Sequence, residues 1–173
     1  GLDAQVTVTG LIPALTYRLE WGDGTPAVNL TGVETATLTH AYSRPGAYTV
    51  TLTVPNGAPV TTTLTVTVGT GTLSATSDAL TATARLSGLE ARLTYTLTWG
   101  DGSSSVVSGV AADTLTHTYA RPGTYTLTLA TPGATSVTTT VTLSVPTPTL
   151  SVTPAQGLTD TAFTATLGNL VPT

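Results

Sequence analysis

The 173-residue chain has no cysteine, no methionine, no lysine and one phenylalanine, and only 8% of it is charged. Without cysteine it can build neither a disulfide scaffold nor a thiolate metal site. Its cations are five arginines, Arg18, Arg44, Arg85, Arg92 and Arg121, and the net charge is −4. A nucleic-acid surface needs clustered cations, so no nucleic acid is expected as a partner. No stretch is long and apolar enough to span a membrane, because even "TTTLTVTVGTGTL" is broken by threonine and glycine, and no membrane insertion is expected in this segment. Disorder is also excluded, since it needs low hydrophobicity and high charge, and 40% of the chain is hydrophobic.

What is present is threonine, roughly a quarter of the residues, alternating with Val, Leu, Ala and Tyr. Such β-branched alternation favours a pleated strand with one buried face. The chain also repeats itself. "YRLEWGDGTP" returns as "YTLTWGDGSS", and "THAYSRPGAYTVTLTV" returns as "THTYARPGTYTLTLAT". Tyr17, Trp21 and Asp23 recur 78 residues later as Tyr95, Trp99 and Asp101. His40, Tyr42, Arg44, Pro45, Gly46 and Tyr48 recur 77 residues later as His117, Tyr119, Arg121, Pro122, Gly123 and Tyr125. One residue is therefore lost in the loop between the motifs, where a deletion is cheapest.

A third copy begins at Thr149, where "TLSVTPAQGLTDTAFTATLGNL" resembles "TLSATSDALTATARLSGL" from Thr72. The division expected is 1–69 as a unit lacking its first strand, 70–146 as a complete unit, and 147–173 as the first two strands of a third. The simplest account is a window on a longer tandem array, each unit contacting mainly its neighbours. The joins "VGTGT" (Val68–Thr72) and "VPTPT" (Val145–Thr149) give limited freedom between units.

The complete unit reads as about seven short strands with turn signals between them and no helical period. Strands are expected at Thr72–Thr76, Leu80–Leu86, Leu93–Trp99, around Val106 and Val107, at Leu115–Tyr119, at Tyr125–Leu129 and at Val137–Val145. The GDG after each tryptophan and the RPG at Arg121–Gly123 are turns. The fold class is all-β, as tandem immunoglobulin-like β-sandwiches.

The pairing of GDG with H-x-Y-x-x-P-G-x-Y-x-(V/L)-x-L resembles the polycystic kidney disease (PKD) domain family, across both copies and most of the chain. The resemblance implies an immunoglobulin-like sandwich of extracellular and cell-surface proteins, repeated in prokaryotic surface layers, adhesins and spacers of secreted hydrolases. The family usually reads W-D-F-G-D-G. Here Leu19 and Leu97 take the place of that tryptophan, Trp21 and Trp99 that of the phenylalanine, and Glu20 and Thr98 that of the first aspartate.

The repeated residues carry two readings each. Asp23 and Asp101 could be calcium ligands or catalytic carboxylates, but calcium takes six to eight oxygens, and Glu20 becomes Thr98 in the second copy. The structural reading, an Asp-Gly turn, is preferred. His40 and His117 could be general bases, but each lies in register with an inward leucine and tyrosine. A packed histidine bonded to the turn, in particular to the GDG aspartate, is preferred. Tyr42 and Tyr119 are expected to make a tyrosine-corner bond beside the Pro-Gly turn. Trp21 and Trp99 could be carbohydrate-stacking platforms, but they share a strand face with Tyr17 and Leu19 or Tyr95 and Leu97, so core packing is favoured. "NLT" at Asn29–Thr31 matches a glycosylation acceptor with no equivalent in the second copy.

No catalytic site, cofactor or metal is expected. The functional expectation is a non-catalytic structural module of a bacterial extracellular or cell-surface array: a surface-layer, stalk or filament component. Its partners would be copies of itself or neighbouring repeats, joined by strand complementation at the incomplete end units. Low charge suits a molecule that packs against its own copies, and prolines near strand ends (Pro55, Pro59, Pro132, Pro146, Pro148) limit unwanted edge pairing. The alternative is an adhesin or carbohydrate-binding accessory module with a glycan as partner, which needs exposed aromatics or a divergent loop.

Overall fold

The structure, a computed structural model, describes residues 1–153, 162 and 164–168. Every regular element among them is a strand. Unit 1 contains β1 (Asp3–Thr9), β2 (Tyr17–Glu20), β3 (Val28–Leu30), β4 (Thr35–Ala41), β5 (Gly46–Thr53) and β6 (Val60–Val66). Unit 2 contains β7 (Thr72–Asp78), β8 (Thr81–Ser87), β9 (Thr94–Thr98), β10 (Ser104–Ser108), β11 (Asp113–Thr118), β12 (Gly123–Ala130) and β13 (Val137–Leu143). Beyond them lie β14 (Thr149–Thr153) and β15 (Thr164–Gly168). The seven strands of unit 2 fall where the threonine alternation puts them. Part of the third copy lies outside the described residues.

Each unit is a sandwich of antiparallel sheets, as its alternation requires. Unit 2 packs a four-stranded sheet, β10-β9-β12-β13, against a three-stranded one, β11-β8-β7. Unit 1 has the matching four-stranded sheet, β3-β2-β5-β6, but opposes it with β1-β4 only. The strand that flanks β8 in unit 2, β7, has no described counterpart beside β1. β14 and β15 form a two-stranded sheet.

Along β9, Tyr95 and Leu97 are buried while Thr94 and Thr98 face out. Leu127 and Leu129 of β12 and Ala82 and Ala84 of β8 are fully buried between the sheets. Each such leucine contributes on the order of 1.5–3 kcal/mol by leaving water. Buried side chains of both units belong to one contiguous apolar cluster.

The junction between the units is also polar. Arg92 donates two hydrogen bonds to the Asp3 carboxylate, at 2.9 and 2.8 Å. The Thr131 hydroxyl, nearly buried, donates to the Thr70 carbonyl at 3.1 Å. The turn at Pro132–Gly133 meets Pro45 so closely that a Cβ on Gly133 would lie 2.3 Å from the proline ring. The two units thus touch through their turns as well as through the join.

Candidate functional site

The repeated motif converges at one end of each sandwich. Trp21 follows β2 and Trp99 follows β9, and both are buried, at 2% and 1% exposure. In unit 1 the His40 ring stacks on Trp21 with centroids 4.6 Å apart, and Tyr42 meets His40 edge-on at 4.6 Å. Tyr48 stacks on Tyr42 at 4.1 Å. In unit 2 the same sequence of rings, Trp99, His117, Tyr119 and Tyr125, has spacings of 5.0, 4.5 and 4.1 Å. The alternation of β4 and β11 in one sheet and of β5 and β12 in the other turns these rings inward from two facing sheets, where they meet.

The GDG turn holds the polar half of the cluster. Asp23 accepts hydrogen bonds on Oδ1 from the Thr25 amide at 3.1 Å and the Thr25 hydroxyl at 2.6 Å, and its Oδ2 lies 2.7 Å from His40 Nε2. Asp101 does the same with the Ser103 amide and hydroxyl, at 3.0 and 2.5 Å, and with His117 Nε2 at 2.7 Å. Burial pushes the Asp23 carboxyl up, but the Thr25 hydroxyl, His40 and the Thr25 amide outweigh it and bring it down to about 2. For Asp101 the Ser103 hydroxyl, then His117, then the Ser103 amide hold the carboxyl well below the usual range. Burial pushes the Tyr119 hydroxyl up to about 12, with the Asp101 charge adding to it, and burial then Asp23 raise Tyr42 likewise.

Two glycines explain why this turn cannot vary. Gly22 has φ of 81° and Gly100 of 84°, a region L side chains seldom adopt. A Cβ on Gly22 would lie 2.4 Å from the Thr49 carbonyl oxygen, and one on Gly100 2.6 Å from that of Thr126. Backbone cannot move aside as a flexible side chain can.

The tyrosines divide the bonds differently from the sequence expectation. Tyr42 and Tyr119 do not make the corner bond. Their hydroxyls donate across the end of the sandwich to the Trp21 and Trp99 carbonyls, at 3.0 and 2.8 Å. The bond back to the Pro-Gly turn is made by Tyr48 to the Arg44 carbonyl and by Tyr125 to the Arg121 carbonyl, at 2.8 and 3.1 Å. The reason is reach. Tyr42 and Tyr119 are fully buried and face the tryptophan, whereas Tyr48 and Tyr125 sit just past the turn with partly exposed rings. Pro45–Gly46 and Pro122–Gly123 lead into β5 and β12.

The chemistry available here is limited by geometry. In unit 2 the Ser103 hydroxyl also lies 3.2 Å from His117 Nε2, which sets Ser, His and Asp side by side. A relay needs the carboxylate and the nucleophile on opposite ring nitrogens. Here both contact Nε2, so the imidazole cannot pass a proton between them. Glu20 turns along the strand to Arg18 and takes no part. Among the described residues, no three His, Cys, Asp or Glu side chains are grouped to hold a metal ion, and no buried side-chain nitrogen or oxygen lacks a partner.

The structure also adds residues that the motif did not single out. Thr25 and Ser103 complete the aspartate's bonding, and only their place two residues after Asp hinted at it. Trp99 Nε1 donates to Ser105 Oγ at 2.9 Å. Ser105 pairs with Leu97 as Val28 pairs with Leu19, so Val28 takes its place in unit 1. This register also puts the one-residue difference between the units in the turn after GDG.

The large exposed apolar side chains among the described residues are all aliphatic. Both tryptophans are buried, so neither presents its ring as an exposed stacking surface. No helix among the described residues is long and apolar enough to cross a membrane.

A search of the curated proteins found no match. Two family models, each of the PKD domain, match the chain at residues 1–70 and 63–145. PKD domains are generally non-catalytic, immunoglobulin-like modules of structural or adhesive character, typical of extracellular proteins. With two such sandwiches in tandem, each closed by the same Trp-His-Asp-Tyr cluster, the chain belongs to the PKD domain family.

Proposed function

We propose that the chain is a non-catalytic structural segment of an extracellular array on a bacterial surface, a stalk, surface-layer or filament component. Its partners are neighbouring repeats and further copies of itself, joined by strand complementation. One observation carries this reading: every reactive group at the repeated motif is already bonded to the fold. Asp23 and Asp101 are satisfied by a hydroxyl, an amide and an imidazole, and each tyrosine hydroxyl of the cluster by a backbone carbonyl. The junction bonds between Asp3 and Arg92 and between Thr131 and Thr70 suit units that transmit load along a rod. The arginine-only, Ala/Thr/Pro-rich composition favours a GC-rich bacterial source.

The test is immunogold labelling of intact cells that make the protein, with an antibody raised against this chain. Surface label on regular sheets, stalks or fibres is expected. Label confined to the cytoplasm, or appearing only after the cells are opened, overturns the proposal.

A further inference from the structure

A cleft of about 520 Å³ opens between the two units, lined by residues 43–45 of unit 1 and by 92–94 and 132–133 of unit 2. The junction contacts hold its walls in place. Arg92 is forked onto Asp3, and Thr131, next to Pro132, is bonded to the Thr70 carbonyl. Gly133 shows how tightly the walls meet. Its equivalent 77 positions earlier in unit 1 is Asn56, and the two share a positive φ, 69° and 56°. The turns also share their closing bond, Gly57 to the Val54 carbonyl and Ala134 to the Thr131 carbonyl. A turn of this shape therefore accepts a side chain in unit 1. At the junction Pro45 excludes one, because a Cβ on Gly133 would lie 2.3 Å from its ring.

The charge of the cleft runs against that of the chain. The net charge is −4, yet two of the five arginines, Arg44 and Arg92, line the cleft and no aspartate or glutamate does. The Arg44 guanidinium makes no hydrogen bond or ion pair among the described residues; only its carbonyl is used, by Tyr48. Arg92 spends two N–H groups on Asp3 and keeps the others. Ser43 and Thr94 add hydroxyls, and Pro45 and Pro132 add apolar surface. An opening of this size, pre-formed and mixed in character, suits a small ligand rather than a protein face.

We propose that the cleft binds a uronic acid unit of an acidic polysaccharide, its carboxylate on Arg44 and Arg92 and its hydroxyls on Ser43 and Thr94. The inference does not depend on whether copies of the chain join. A guanidinium meets a planar carboxylate through paired N–H donors, and such charged bonds are the strong ones. The C–H face of the sugar ring meets the prolines. A peptide carboxylate is the poorer occupant. An extended peptide gains affinity by adding a strand to a free sheet edge. The cleft offers no such edge, because it is lined by turns and by the start of β9, which already pairs with β10 and β12. A sugar carries its polar groups as hydroxyls and has no backbone ladder to satisfy.

Digalacturonate titrated into the full chain is the probe, followed by calorimetry and by amide shifts. Saturable binding is expected, with the shifts centred on residues 43–45, 92–94 and 132–133. Arg44→Gln changes an exposed side chain that bonds to nothing, so the fold stays intact. It should weaken binding about tenfold, the loss of one charge-assisted bond. Arg85→Gln, on β8 and outside the cleft, should leave the affinity unchanged. Gly133→Asn installs the residue that unit 1 carries, keeps both arginines and displaces Pro45, and should also weaken binding. Neutral galactobiose and tetraglutamate should both bind about tenfold more weakly or worse. The proposal is overturned by absence of saturable digalacturonate binding, by galactobiose or tetraglutamate binding as tightly, or by an affinity that either cleft variant leaves unchanged.

Discussion

In unit 2, Ala82, Ala84 and Leu86 of β8 lie sealed between two sheets. In unit 1 the same strand positions, Ala4, Val6 and Val8 of β1, are only half-buried. Yet the two motif clusters are nearly superimposable in their bonds, with Asp-to-His distances of 2.7 Å in both. The comparison separates two jobs. The Trp-His-Asp-Tyr cluster closes one end of each sandwich with the same bonds in both units. In unit 2 the flanking strand β7 seals the side; in unit 1, where no strand is described beside β1, β1 is half-buried while the cluster keeps the same bonds.

Substitutions can break this comparison or sharpen it. The largest effect is expected at the first glycine of GDG. Gly22→Ala and Gly100→Ala each combine an unfavourable φ with a backbone overlap and should cost about 3–5 kcal/mol in their own unit. Gly24→Ala, where the added Cβ meets nothing within 4 Å, should cost only about 1 kcal/mol. Denaturant titration reads both. Equal, small losses at the two positions would mean that the turn is not held as described.

Next come the tyrosines. Tyr42→Phe and Tyr119→Phe leave a buried tryptophan carbonyl without its donor and should cost about 1–3 kcal/mol each. The two losses should match, because the bonds match. A large loss in one unit and none in the other would end the claim that the two clusters are held alike.

Much of this was legible in the sequence, and the limits are physical. Alternation of threonine with Tyr95, Leu97 and Trp99 states which face a side chain takes, so the strands and the core could be read directly. The pairing of His40 with the GDG aspartate was readable too, because both recur together. Alternation does not state which partner a buried hydroxyl finds. Tyr42 and Tyr48 are both tyrosines near one turn, and only their depth assigns the corner bond to Tyr48. The bonds of Asp3 to Arg92 and of Trp99 to Ser105 are single events with no counterpart in the other copy, so repetition gave no signal for them. The cleft between the units left no mark in the sequence, since a cleft is a property of two units together.

Smaller is the effect of Ser105→Ala, which removes the acceptor of the Trp99 indole and makes unit 2 resemble unit 1 at Val28. It should cost about 1 kcal/mol, and Val28→Ala should carry no such hydrogen-bond loss. Last comes the aspartates' contribution, which is fully present at neutral pH and is read out in acid. The Asp23 carboxyl sits at about 2 against an ordinary 3.8. A depressed carboxyl stabilises the fold above its unfolded value and stops doing so as pH falls through the folded one. Stability should therefore drop between about pH 4 and pH 2, and the drop should be shallower in Asp23→Asn and Asp101→Asn. An unchanged acid limb in both variants would remove the aspartates from the account.

The most direct test of the central claim is hydrogen exchange of β1 against β8 in one dilute sample. The account predicts faster exchange along β1, which is paired on one edge among the described residues, than along β8, which is paired on both. Equal protection of the two strands would mean that the second pairing of β8 adds nothing, and would contradict it.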